Sequence, residues 1–183
     1  MRTAATQVIE ATSVTTKQAT MTAIVQHRYG TAPKKVLRLE QIALPTISDE
    51  EVLVRVRAAG VDRGTWHLMA GIPRLMRILG FGLKGPKTPV PGLDLAGTVE
   101  AVGKNVTGIE PGEEVFGTGK GSFAEYAPIR ASRLAPKPAN LTFEQAAAVA
   151  VSATVALQAV RDKAKVQPGE RVLIVGASGG VGT

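Results

Sequence analysis

The sequence predicts a compact, β-barrel-like domain over residues 21–140, followed by the opening elements of an α/β unit over residues 141–183. Three observations carry this expectation. Short apolar runs recur between Gly, Pro and Asp turn signals from residue 21 to about residue 130, the pattern of a small barrel rather than of alternating strands and helices. Near residue 140 the character changes to an Ala-rich stretch of helical type. That stretch leads to an unbroken apolar run, Arg171–Val175 (RVLIV), which passes directly into Gly176, Ala177, Ser178, Gly179, Gly180, Val181 and Gly182.

Each element follows in order. The first twenty residues are rich in Thr and Ala and poor in large hydrophobes. They lack the apolar region of a secretory signal and read as a disordered tail. Thr22–Gln26 and Val36–Gln41 form a first strand pair around a Gly30–Pro33 turn. Glu51–Ala59 (EVLVRVRAA) alternates, with Val52, Val54 and Val56 to one side and Leu53, Arg55 and Arg57 to the other; that is a half-buried strand. Gly60 ends it, and Asp62–Ala70 reads as a short helical turn. Gly71–Pro91 is punctuated by Gly and Pro. Its apolar residues Leu75, Met76, Ile78, Leu79, Phe81 and Leu83 are expected to cover a pocket. Leu93–Val102 is a strand broken by Gly97, and further strands are expected at Glu114–Gly117 and Phe123–Pro128. Thr142 and Gln145 have the spacing of a capping box and open a helix expected to reach Arg161. A loop over Lys163–Gly169 precedes Arg171–Val175, whose continuous apolarity predicts a strand buried on both faces of a parallel sheet. The glycines after it would allow a tight turn and close backbone approach to a pyrophosphate at a helix N-terminus.

Composition removes several classes. The chain of 183 residues has Lys+Arg 22 against Asp+Glu 15, a net charge of +7, and no cysteine. Without cysteine there are no disulfides, iron–sulfur clusters or cysteine-ligated zinc sites, so cysteine usage leaves the redox compartment open and a cytoplasmic location is the default. Arg55, Arg57, Arg63, Arg74, Arg77, Lys84 and Lys87 against Asp62 concentrate +6 of that charge between residues 55 and 90. Only Trp66 and Phe81 interleave with these charges, and no nucleic-acid module pattern accompanies them. A solvated loop surface, or a wall that attracts an anionic cofactor, remains. The uncharged run Ala146–Val160 has fifteen residues, short of the roughly 20 that cross a bilayer, so a core helix is expected and no membrane partner.

From Met21 to Thr183 the order of motifs resembles the medium-chain dehydrogenase/reductase superfamily, in its zinc-independent quinone-oxidoreductase-like branch, which includes proteins called NAD(P)-dependent alcohol dehydrogenases. The matching pieces are EVLVRVRAAGVDRGTWHLMAG (Glu51–Gly71), VPGLDLAGTVEAVG (Val90–Gly103), PGEEVFG (Pro111–Gly117), GSFAEYA (Gly121–Ala127), LAPKPANLTFEQAAAV (Leu134–Val149) and RVLIVGASGGVGT (Arg171–Thr183). The resemblance implies a GroES-like, irregular β-barrel catalytic domain and the first helix–strand elements of a Rossmann domain. Such families run to about twice this length, so most of that second domain is expected to be missing here. It further implies an oxidoreductase that transfers hydride from NAD(P)H to a quinone or α,β-unsaturated carbonyl without zinc. NADPH is the favoured cofactor, with NADH as the alternative, and the full-length parent is expected to be a homodimer. Two other readings stand beside it: a truncated, non-catalytic GroES-like module, and a zinc-independent alcohol or aldehyde dehydrogenase.

Departures from the zinc-dependent members support the zinc-free branch. They carry cysteine where this chain has Asp62, and Gly-His-Glu where it has Gly92-Leu93-Asp94. Two hard carboxylates without a soft or imidazole partner do not make a tetrahedral zinc site, and no metal site is expected. The resemblance also carries over individual roles. Arg63 matches a pyrophosphate-binding arginine, His67 a proton-relay histidine, and Thr154 a cofactor-contacting threonine. Asp62 matches a position near the nicotinamide that is often Asn, and Gly176–Gly182 match the cofactor loop. His67 and Asp62 are thus the catalytic candidates. Plainer alternatives accompany each: a surface arginine, a packed histidine, and a threonine bonding back to its own helix. Gly64 replaces the hydroxyl residue of the relay. An ionised Asp62 cannot donate to an oxyanion, which leaves it to orient Arg63 or the cofactor ribose. Trp66 either walls the pocket or belongs to the core.

Overall fold

A computed structural model describes residues 19–75, 77–78, 82–83 and 85–183. The expected tail falls almost wholly outside the described residues, and the first strand, β1, begins at Thr20 and ends at Gln26. The single turn α1 (Pro33–Val36) separates it from β2 (Leu37–Ala43), and the two strands pair antiparallel from Thr20↔Ala43 to Gln26↔Leu37. Then come β3 (Glu51–Ala59), α2 (Arg63–Ala70), β4 (Asp94–Val102), β5 (Glu114–Thr118), β6 (Tyr126–Arg130) and the short β7 (Leu134–Pro136). The chain closes with α3 (Phe143–Leu157), which continues as a π-helical stretch over Gln158–Ala164.

Five strands form one antiparallel sheet in the order β6-β3-β4-β5-β7. The expected alternation of β3 is what fills its core: Val52 and Val54 meet Leu95 and Val99 of β4, Val115 of β5, and Ala127 and Ile129 of β6. Register shifts between Leu53 and Val54 and between Val56 and Ala58 supply the bend that curls such a sheet. The β1–β2 ribbon joins through an Ala23–Ala124 bridge and through Gln26 N–H, which donates to Pro89 O at 2.7 Å. A second small core of Ala23, Val25 and Val90 seals that join.

Gly97 does not break β4. It pairs with Val56 on one side and Val115 on the other, and a glycine fits there because a Cβ would run into Arg55 O. α3 starts as the capping box predicts. Thr142 Oγ1 accepts from Gln145 N–H at 3.2 Å, and Gln145 Oε1 accepts from Thr142 N–H at 2.9 Å. Ala146 and Ala147 pack on Ala96 of β4. Residues 143–164 are long and apolar enough to cross a membrane by length and composition alone, yet the first half of this helix covers the sheet.

The strand expected at Arg171–Val175 does not form. The segment is irregular, with Leu173 89% and Val175 91% exposed. A parallel strand is stable only between neighbours that satisfy its backbone and cover both faces, and among the described residues no strand lies beside this one. The glycines after it form successive turns, not a helix N-terminus.

Candidate active site

The site is organised by α2. Asp62 sits at its N-cap in an extended conformation, and its Oδ1 accepts from Thr65 N–H at 2.6 Å, so the carboxylate satisfies a donor that the helix leaves open. Gly71 ends the helix in the left-handed region at φ 64, where a side chain is unfavourable. Thr65 and Met69, four residues apart, face inward and are buried. His67 and Leu68 flank them and line a cavity of about 400 Å³ with the end of β1, the 86–93 segment and the Lys120–Gly121 turn. Gln26, itself buried, fixes the far wall by donating to Met69 O at 2.7 Å and Arg28 O at 2.9 Å.

Two buried polar atoms on this wall have no hydrogen-bond partner: Thr65 Oγ1 and His67 Nδ1. Ser122 Oγ, next to the Gly121 lining, is a third. Native interiors rarely leave such atoms unmet unless a ligand or water meets them. The cavity is otherwise largely apolar, which strengthens any hydrogen bond made inside it.

The candidates named from sequence divide into three groups. His67 lines the cavity, with its ring edge-on to Trp66 at 5.1 Å. Arg63 is exposed and its guanidinium lies over Trp66 at 4.7 Å, so the indole sits between the guanidinium and the imidazole. Asp62 is not part of the cavity wall; its carboxylate is committed to the helix cap. Thr154 donates to Ala150 O at 2.7 Å, the backward bond of an ordinary helix threonine. The Gly176–Gly182 turns lie against α3, where a Cβ on Gly180 would approach Ser152 Oγ to 2.9 Å. The apolar segment expected to cover the pocket turns outward where it is described: Leu75, Ile78 and Leu83 are exposed, and Met76, Leu79 and Phe81 lie outside the described residues. Arg77 lines the cavity instead. It bonds Gly71 O at 2.9 Å and Ala70 O at 3.1 Å.

Asp94 is a separate feature. It is 3% exposed at the start of β4, and its Oδ1 has no partner. Burial pushes its carboxyl from 3.8 up to about 6. Val151 N–H of α3 opposes that rise, and the nearby Asp62 charge adds to it. Gly60 makes the arrangement possible: a Cβ there would lie 2.6 Å from Ala147 O and 3.0 Å from the Asp94 Cβ.

Sequence reasoning missed Thr65, Gln26 and Lys120 as lining residues. Thr65 had a readable signal, a hydroxyl four residues before a buried Met on a capped helix. Lys120, between Gly119 and Gly121, offered none, because the turn that brings it here depends on how β5 meets β4.

The family model for the alcohol dehydrogenase GroES-like domain matches residues 48–139. The chain is 36% identical over 169 residues to quinone oxidoreductase of Sus scrofa, a match that covers 91% of this chain and 49% of that protein. It is 33% identical over 159 residues to 2-methylene-furan-3-one reductase of Solanum lycopersicum, covering 81% and 39%. Among solved structures, the Escherichia coli quinone oxidoreductase in complex with NADPH superposes with a TM-score of 0.74 at 27% identity, covering 88% of this chain and 47% of that one. The chain therefore spans about half the length, or less, of the relatives it matches.

Proposed function

The chain belongs to the alcohol dehydrogenase GroES-like domain family, and from that premise we propose that it is the catalytic-domain portion of an NADPH-dependent reductase of quinones or α,β-unsaturated carbonyls. The observation that carries this is the pair of unpartnered buried groups, Thr65 Oγ1 and His67 Nδ1, on the wall of an apolar cavity. Reduction of a conjugated carbonyl places negative charge on its oxygen, and the site must donate hydrogen bonds there. The Thr65 hydroxyl and the His67 ring can both do so. His67 also suits delivery of the proton near neutral pH. Asp62 acts as a positioning residue, because it holds the first turn of the helix that presents both donors.

Gly176–Gly182, with Ser178 and the adjacent Ser152, fit a pyrophosphate in chemistry: small residues, exposed backbone and hydroxyl donors. NADPH, when bound, supplies the hydride. The relatives named for quinones and for a methylene-furanone reductase support conjugated acceptors over plain alcohols. A zinc-free site is favoured by the donors themselves, since Asp62 is committed to a helix cap and Asp94 is buried where its charged form is disfavoured.

The test is NADPH consumption by the protein expressed from its own gene, with a benzoquinone and an enone as acceptors. Turnover should persist in the presence of a strong chelator. His67→Phe should lower kcat by about 100-fold through loss of the acid with little change in unfolding midpoint. No consumption with either acceptor, or full activity in the His67 variant, would reject the proposal.

A further inference from the structure

We propose that the cavity beside α2 selects acceptors that carry a carboxylate remote from the reducible bond, with Lys87 and Lys120 as the residues that hold it. This rests on the reductase reading above and adds a substrate class to it. The described lining contains three cationic side chains, Arg77, Lys87 and Lys120, and no carboxylate. Arg77 is already committed: it bonds two carbonyls at the end of α2 and lies over the Tyr29 ring at 4.4 Å. Lys87 and Lys120 are different. They take part in none of the ion pairs among the described residues, which involve Lys104, Lys137, Arg161 and His27. Both are exposed while bordering the cavity.

The cavity thus offers two classes of donor. Thr65 and His67 present buried, neutral-capable donors suited to a carbonyl oxygen. Lys87 and Lys120 present hydrated ammonium groups suited to a full negative charge at the border. An ammonium–carboxylate hydrogen bond is charge-assisted and stronger than a neutral one, and an ester of the same acid cannot make it. Uncompensated positive charge at the edge of a low-dielectric cleft also raises the local concentration of anions. A volume of about 400 Å³ lies within the usual range for small-molecule sites.

The experiment compares (E)-6-oxohept-4-enoate, an enone whose carboxylate is separated from the alkene by a short methylene spacer, with its methyl ester by calorimetric titration of the protein at low and at high salt. The acid should bind about tenfold tighter than the ester or better, since hydrogen bonds to charged groups are the stronger class, and the preference should shrink as salt screens it. Lys87→Met combined with Lys120→Met should abolish the preference, and Lys87→Arg with Lys120→Arg should retain it. Both sites are exposed, so unfolding midpoints should hold in each variant. Equal binding of acid and ester, a preference that survives the double Met variant, or no binding of either overturns the proposal. The two readings fail separately. NADPH-dependent turnover of acid and ester with equal affinities sinks only the carboxylate selection. Preferential binding of the acid without any NADPH consumption sinks only the reductase.

Discussion

Asp94, at the start of β4, and Asp62, at the cap of α2, are carboxylates close enough for the charge of Asp62 to act on Asp94, and their environments give them different work. Asp94 is pushed up to about 6 from 3.8, chiefly by burial. Between those values the folded chain holds a proton that the unfolded chain has lost. Its contribution to stability is therefore complete below about pH 4, declines as pH rises through the window, and is gone above about pH 6. A rise of this size corresponds to about 3 kcal/mol at most. Asp94→Asn removes the titration, so urea unfolding of the variant between pH 4 and pH 7 should show a flatter stability profile than the wild type. An identical slope in both proteins would contradict the assignment. Asp62 instead accepts from Thr65 N–H, and an Asn could do the same. Asp62→Ala should cost about 1 kcal/mol of stability and lower turnover by displacing Thr65 and His67, whereas Asp62→Asn should recover most of both. If the Asn variant were as inactive as the Ala variant, the charge itself would be needed and the positioning role would fail.

At the scale of elements, legibility followed how local each signal is. The capping box of Thr142 and Gln145, the alternation of Glu51–Ala59 and the helix after Asp62 all depend on residues within one turn or one pleat, and all three are present in the fold. β7 escaped notice because Leu134-Ala135-Pro136 is too short to alternate; it exists by pairing with Val115–Gly117. Arg171–Val175 erred the other way. Its apolar run has the composition of a buried strand, but burial requires neighbours that no local pattern provides. The docking of α3 is equally non-local. It turns on Gly60, whose missing side chain lets Ala147 O approach β3. Gly60→Ala should cost about 1–3 kcal/mol, the usual penalty for overpacking, because the atom it meets is backbone and cannot rotate away. Lifting α3 should also rehydrate Asp94 and bring its carboxyl back toward 3.8. Carbonyl NMR titration of the variant would reveal this, and an Asp94 still near 6 would show that α3 is not what buries it.

Across the whole molecule, the concentrated charge and the two kinds of surface divide the chain into a cooperative barrel and an exposed trailing segment. Of the basic residues between 55 and 90, Arg77 and Lys87 border the cavity, while Arg55 and Arg57 lie over Tyr126 and Phe143. The charge count therefore pointed toward the site without separating its members from their neighbours, because strand alternation sends Arg55 and Arg57 elsewhere. Stability is also unevenly spread. β3 and β4 share a paired ladder above the main core, whereas Val172, Leu173, Ile174 and Val175 are all more than half exposed. Amides in a paired, buried ladder exchange only when the whole domain opens, and unpaired exposed amides exchange at nearly the rate of free peptide. Hydrogen exchange followed by mass spectrometry should therefore label residues 171–175 almost at once and the β3–β4 ladder last, with the ladder slowed in proportion to global stability. Slow exchange over 171–175 that speeds up on dilution would mean that this apolar run pairs with a second copy, as an uncovered strand-forming segment can; slow exchange at every concentration would mean that it is paired within the chain.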